Sequence, residues 1–401
     1  MSVNSNIREA YDDGIKNKIG WLKNSVVLAV LVGIALSPRL WISTRSYPLV
    51  PIFNGLPSIP FPLDYLVAAA LVGLLGIALF SAQPRKYLIG SVGVFGILFC
   101  LDQSRGQPWC YQYFLMLGAL SFYSWRRERG QQLETALNTC RLIVASIYFW
   151  SGVQKLNWEF VASVFPDLMS PYLRRLPINI GSGALILSAL VPLIEISVGL
   201  GLLTRRFRNI SIALALMGHL VVFLLFVPTR RNIVIWPWNL AMLVFVLILF
   251  WRERGTSYRD ILFARRHVFH LVVLVLCGLM PAFSFFGLWD SYLSASLYSG
   301  NISSGTLLLS EKVRGRLPSQ VQDFVYTSTP RSFLNVHRWS SSELNVPAYP
   351  EARIYHSVHR AVCNYAEDPD DVVLSISFRR RLFELEPRTE LSNCGDLAAA
   401  K

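Results

Sequence analysis

The segment Tyr148-Phe-Trp-Ser-Gly-Val-Gln-Lys-Leu-Asn157 puts a lysine and two amides at the end of an otherwise apolar stretch. An ammonium beside hydrocarbon is tolerated when it faces the protein interior, lines a wet cavity or snorkels to the interface. Tyr148, Ser151, Gly152 and Lys155 fall at helical spacings of three and four, so they share one face, and its glycine permits close packing. That face predicts an inward Lys155 in a polar cavity, with Gln154 and Asn157 orienting polar groups beside it. Desolvation there would lower the amine's pKa toward base chemistry, and a nearby Asp102 or Glu159 would oppose the shift.

Distant parts of the chain reach the same side if the apolar runs alternate across a membrane. The first such loop is proline-rich and carries Arg45, and the second reads Asp102-Gln-Ser-Arg-Gly-Gln-Pro-Trp109, adding Asp102, Gln107 and Trp109. A later loop brings Asn232, followed by Trp236-Pro-Trp-Asn239. Trp109, Trp236 and Trp238 would contact an apolar ring, and Asn239 would add an amide; an interfacial tryptophan belt around a proline kink accounts for the last motif as well. Arg141 and Glu195 fall at similar depths on neighbouring runs, which predicts an ion pair locking two antiparallel helices. His219 has no second histidine at ligand spacing, so it reads as a helix contact, and no metal is expected.

The elements that must position these residues are transmembrane helices. Hydrophobic residues make up 53% of the chain and charged ones 16%, and the apolar positions fall in long runs between arginine clusters, as lipid-solvated helices require. The runs 21–36, 65–80, 87–101, 111–125, 137–155, 180–203, 210–227, 233–251 and 268–286 predict nine spans in an all-α polytopic bundle. The third and fourth are short: about 15 residues give about 23 Å of helix against a core of about 30 Å. Basic residues are about twice as frequent on one side, which places the N-terminal segment 1–20 in the cytoplasm and the tail 287–401 outside. Basic loops beside anionic lipid account for the net charge of +13 without nucleic acid, for which no aromatic-interleaved basic face is present.

After residue 287 the long apolar runs stop. Short stretches at 306–309, 323–326, 352–355 and 372–378 have strand-like composition between Gly, Pro, Ser and Asn, which predicts a small α+β or β-rich soluble domain. Cys363 and Cys394 share this tail, where an oxidising compartment would let them pair, and no CxxC redox motif is present. Cys140 and Cys277 read as packing residues, and Asn301-Ile-Ser303 is a glycosylation acceptor if the source is eukaryotic.

The stretch Arg141 to Asn157, followed by Pro192-Leu-Ile-Glu195, Gly199-Leu-Gly201 and Leu203-Thr-Arg205, resembles the DoxX/DoxD-like four-helix membrane unit over residues 136–250. Gly152-Val-Gln-Lys-Leu-Asn157 also resembles the horizontally transferred transmembrane (HTTM) domain of vitamin K-dependent gamma-carboxylases, with Arg45-Ser-Tyr-Pro48 and Asp102 as further anchors. That resemblance implies a base at Lys155 acting on reduced vitamin K. Where the family carries an Asn-His pair this chain has Gln107-Pro108-Trp109, and its outer domain is smaller, so glutamate carboxylation is the minor reading.

Two functions compete. One is an outward polar cavity around Lys155 that binds a quinone or another lipid-soluble molecule for redox-linked proton chemistry. The other is a non-enzymatic scaffold whose bundle anchors the outer domain for a protein partner. A transporter is a lesser reading, because no inverted repeat is evident.

Overall fold

The computed structural model describes residues 2–53, 55–122, 130–173, 181–230, 232–253, 255–264 and 267–399. Arg126, Arg127, Arg129, Arg174, Arg175, Arg231, Arg254, Arg265 and Arg266, which entered the charge asymmetry, and Asn54 lie outside them. Helices cover nearly all of the described part of every run read as a span: α1 (Ser2–Leu36), α2 (Leu63–Phe80), α3 (Arg85–Leu101), α4 (Pro108–Phe122), α5 (Gly130–Gln154), α6 (Gly181–Leu203), α7 (Arg208–Phe226), α8 (Ile235–Phe250) and α9 (Val268–Phe286). Among the described residues, five of them (α1, α2, α6, α7 and α9) are long and apolar enough to cross a membrane. α8 is apolar but shorter, and residues 2–20, read as a separate polar segment, continue into α1 as one helix.

Specific polar contacts fix how these helices pack. Buried Lys23 of α1 donates to Ala78 O and Leu79 O, both at 2.8 Å, so its charge answers carbonyls left open at the C-terminal end of α2. α9 widens to a π-helical turn over Leu274–Leu279 ahead of Pro281, which has no N–H to give. Trp150 Nε1 of α5 donates to Gly278 O at 3.2 Å within that turn.

The tail forms a five-stranded antiparallel sheet in the order β2-β3-β1-β4-β5, with β1 at Ser304–Leu309, β2 at Val325–Tyr326, β3 at Ser332–Asn335, β4 at Val372–Ser377 and β5 at Thr389–Asn393. Leu307 faces Leu334 on one side and Leu374 on the other, and Val372, Leu374 and Ile376 alternate inward along β4. Residues 352–355 are helical rather than extended, because they begin α11 (Ala352–Cys363), which follows α10 (Val336–Leu344). Buried Ile354, Tyr355, Val358 and Val362 recur at helical spacing, a period that four residues are too few to display. Tyr355 lies so close over β1 that a Cβ on Gly305 would meet its ring.

Cys363 at the end of α11 and Cys394 after β5 form a disulfide. It closes a loop spanning 31 positions, for which chain entropy gives about 3–4 kcal/mol. The Cys363→Ser/Cys394→Ser chain should therefore lose its sheet domain to protease at lower urea than the wild type while the bundle stays intact. Equal urea midpoints would show that the disulfide adds nothing.

Candidate functional site

α5 and α6 cross at a distance that only glycine allows. A Cβ on Gly152 would sit 2.6 Å from Pro192 O, and one on Gly199 would sit 2.6 Å from Phe149 N. Both obstacles are backbone, so no side-chain movement relieves them. One turn beyond Pro192, Glu195 meets the end of α5, and Lys155 Nζ lies 2.7 Å from its Oε2. Lys155 also donates to Ser151 Oγ at 2.5 Å and to Ser151 O at 3.4 Å. The lysine side chain is 10% exposed and the glutamate 27%, so the pair is shielded on the lysine side and open on the glutamate side. Lys155 is therefore inward, as its helix face predicts, but it is held by a carboxylate rather than free as a base.

The Arg141–Glu195 ion pair does not form. Arg141 Nη2 instead reaches Glu253 Oε2 at 2.9 Å, while its Nε donates to Leu249 O and its Nη1 to Asn138 Oδ1. The expected equal depth is not met: Gly152 packs on Pro192 and Gly199 on Phe149, which sets Glu195 beside the end of α5, about 16 Å along the helix from Arg141, while Glu253, just past the end of α8, reaches Arg141 instead. Lys18 completes this cluster at 2.9 Å from the same carboxylate oxygen.

A second polar chain starts from the same helix face. Tyr148 OH lies 2.5 Å from His219 Nε2, and His219 Nδ1 lies 2.7 Å from Asn239 Oδ1. Asn239 Nδ2 donates to Ile235 O, which leaves Oδ1 as the acceptor, so Nδ1 carries the proton and Tyr148 donates to Nε2. His219 is thus a satisfied helix contact.

The other expected site residues do not converge on Lys155. Gln154 points toward the sheet domain: its amide donates to Ser284 Oγ at 2.9 Å and its carbonyl accepts from Arg379 at 2.6 Å. Asn157 shapes the following turn, donating to Gln154 O and Ser299 O and accepting from Phe160 N. Asp102 pairs with Arg45 at 2.5 Å, both side chains fully buried, and also accepts from Val50 N and Ser104 N. Gln107 donates to Ser104 O and Pro347 O, and Asn232 donates to Tyr298 OH. Trp109 is buried against α1, where it fills the space a Gly33 side chain would need.

Trp236 is half-buried. Trp238 donates to Gln112 Oε1 at 2.7 Å and lines a cavity of about 20 Å³ with Tyr111, Trp150 and Cys277. That volume suits one or two waters, so no quinone ring fits there in this conformation. Trp109 thus packs between helices, and Trp238 is engaged by Gln112.

Two working residues were not singled out from the sequence. Glu253 and Arg379 each gain their role from partners more than 100 positions away, which no local pattern displays. No family model, curated protein or solved structure matches the chain.

The cluster around Glu253 predicts a pH dependence. Burial alone would raise this carboxyl, but the hydrogen bond from Lys18 and the charges of Arg141 and Lys18 outweigh it and hold the group below its ordinary value of 4.5. Its contribution is fully present above that value and is lost as pH falls through the lower folded-state value. Glu253→Gln should cost about 3 kcal/mol at neutral pH by leaving buried Arg141 without its carboxylate, and the gap to wild type should narrow on acidification. Melting in detergent across this range is the check, and a gap independent of pH would contradict it.

Proposed function

We propose that the chain is a multi-pass membrane protein, similar in kind to the DoxX and HTTM units, that binds a quinone-class or related lipid-soluble molecule at Lys155 and Glu195 and exchanges a proton with it. The N-terminus lies in the cytoplasm and the sheet domain outside. The carrying observation is the Lys155–Glu195 pair, closed on the lysine side and reachable on the glutamate side. Next to Glu195, Leu193 and Ile194 are exposed on the bundle surface, so a ligand dissolved in the bilayer would arrive at the carboxylate first. A quinol hydroxyl would give its proton to Glu195 while the Lys155 ammonium faces the resulting phenolate. Five apolar helices support the membrane setting, and the disulfide supports an oxidising compartment for the tail.

A specific set of contacts favours the scaffold reading as the alternative. The outer domain is tied to the bundle by Asn345 donating to Leu36 O, by Gln107 donating to Pro347 O, and by Glu343 accepting from Ser46 N and Tyr47 N. A chain that only anchors its outer domain would need these contacts and nothing from Lys155.

The two readings separate in one experiment. Replacing both members of a shielded ion pair by apolar residues of similar size is often neutral or stabilising, whereas removing one member strands a charge. Lys155→Met/Glu195→Met should therefore melt no lower than wild type in detergent, yet lose a quinone that native mass spectrometry finds on the wild type. A stable double variant with the same bound molecules as wild type would sink the binding site and leave the scaffold.

A further inference from the structure

Between the outer end of α9 and the sheet domain lies a cavity of about 310 Å³, within the range of about 300–1,000 Å³ typical of small-molecule sites. Four arginines line it, Arg353, Arg379, Arg381 and Arg388, against three carboxyls, Asp290, Glu351 and Glu384. Two of those arginines are spoken for: Arg353 donates to Asp290, and Arg381 lies 3.9 Å from Glu384. Burial and the charge of Asp290 push the Glu351 carboxyl up toward its neutral form. The cavity is therefore left with excess positive charge.

Arg379 is the anomaly. Its side chain lies at the end of β4 in a residue only 9% exposed, stacked 5.1 Å over the Phe285 ring, and its one hydrogen-bonded nitrogen, Nη2, meets a neutral amide, Gln154. Nε and Nη1 are buried with no partner, and so is Nε1 of Trp289, another wall of the same cavity. Burial pulls the guanidinium down to about 10, as expected for a cation without enough compensation. Leaving a buried charge unanswered is costly, and an oxyanion in the cavity beside Arg379 would supply the negative charge that its neutral partner does not. The mouth adds a second constraint. Leu288, Phe383 and Leu385 are exposed there, the last two at 84% and 93%, and Phe383 sits against Phe286 at the end of the last apolar helix. Exposed apolar side chains beside the end of a span suit the bilayer interface.

We propose that this cavity binds the phosphate headgroup of an anionic amphiphile, held by the charges of Arg379 and Arg388, with the acyl portion leaving past Phe383 and Leu385. This site needs no ligand at Lys155 and stands whether or not a quinone binds there.

The test is thermal melting of the delipidated full chain in neutral detergent, titrated with inorganic phosphate, with phosphatidylglycerol and with phosphatidylcholine. Phosphatidylglycerol should raise the wild-type melting temperature at a concentration about tenfold or more below that of free phosphate, and phosphatidylcholine should act no better than detergent. Arg379→Gln should melt at or above the ligand-free wild type and need about tenfold or more of phosphatidylglycerol for the same rise. If that variant does not fold, exposed Arg388→Gln carries the test, with an expected loss of about threefold or more. No rise with either anion, or an equal rise in the variant, overturns the site. Free phosphate as potent as phosphatidylglycerol overturns the amphiphile and leaves a soluble oxyanion as the occupant.

Discussion

The backbone contact between α5 and α6 governs the rest of the bundle. Gly152 and Gly199 let each helix touch the other's main chain, and that approach is what brings Glu195 within 2.7 Å of Lys155. Side chains at either position would push the helices apart by the depth of a methyl group, which is enough to break a short ion pair. The same helix end carries Gln154 in the opposite direction, onto Ser284 and Arg379. A single turn of α5 therefore joins the Lys155–Glu195 pair to the C-terminal sheet domain.

Buried cations recur throughout, and most are answered by the ends of helices. Lys23 meets carbonyls at the end of α2, Arg105 donates to Leu98 O near the end of α3 and to Leu40 O, and Arg208 donates to Leu202 O, Glu253 O and Thr256 O. Open C-terminal carbonyls carry partial negative charge, so a cation placed there is stabilised without a carboxylate. Several basic residues that set the apparent charge asymmetry of the loops are thus structural pins. Arg379 stands apart because its nearest polar neighbour is an amide and two of its nitrogens have none.

The helical framework was legible because long apolar runs and their arginine-rich breaks are properties of contiguous sequence. The inward face of α5 was legible for the same reason, since Tyr148, Ser151, Gly152 and Lys155 are close in the chain. Partner choice was not: the contacts of Gly152 with Pro192 and of Gly199 with Phe149 set Glu195 beside the end of α5, about 16 Å along that helix from Arg141, so Glu253 and Lys155 take those roles. The residues of the two loops that hold Arg45 and Asp102 are consumed by contacts with each other, as when Asp102 gathers Arg45, Val50 and Ser104 around one carboxylate. In the tail, β1 and β4 follow the strand-like runs, whereas α11 shows its period only over a dozen residues.

The most direct measurement of the Lys155–Glu195 account is isotope-edited infrared spectroscopy of the Glu195 carboxyl, recorded before and after adding a short-chain quinol. The account predicts an ionised carboxylate in the ligand-free protein that gains a proton when the quinol binds, with no such change in Lys155→Met. A Glu195 signal unaltered by saturating quinol would show that the pair holds two helices together and exchanges no proton with a ligand.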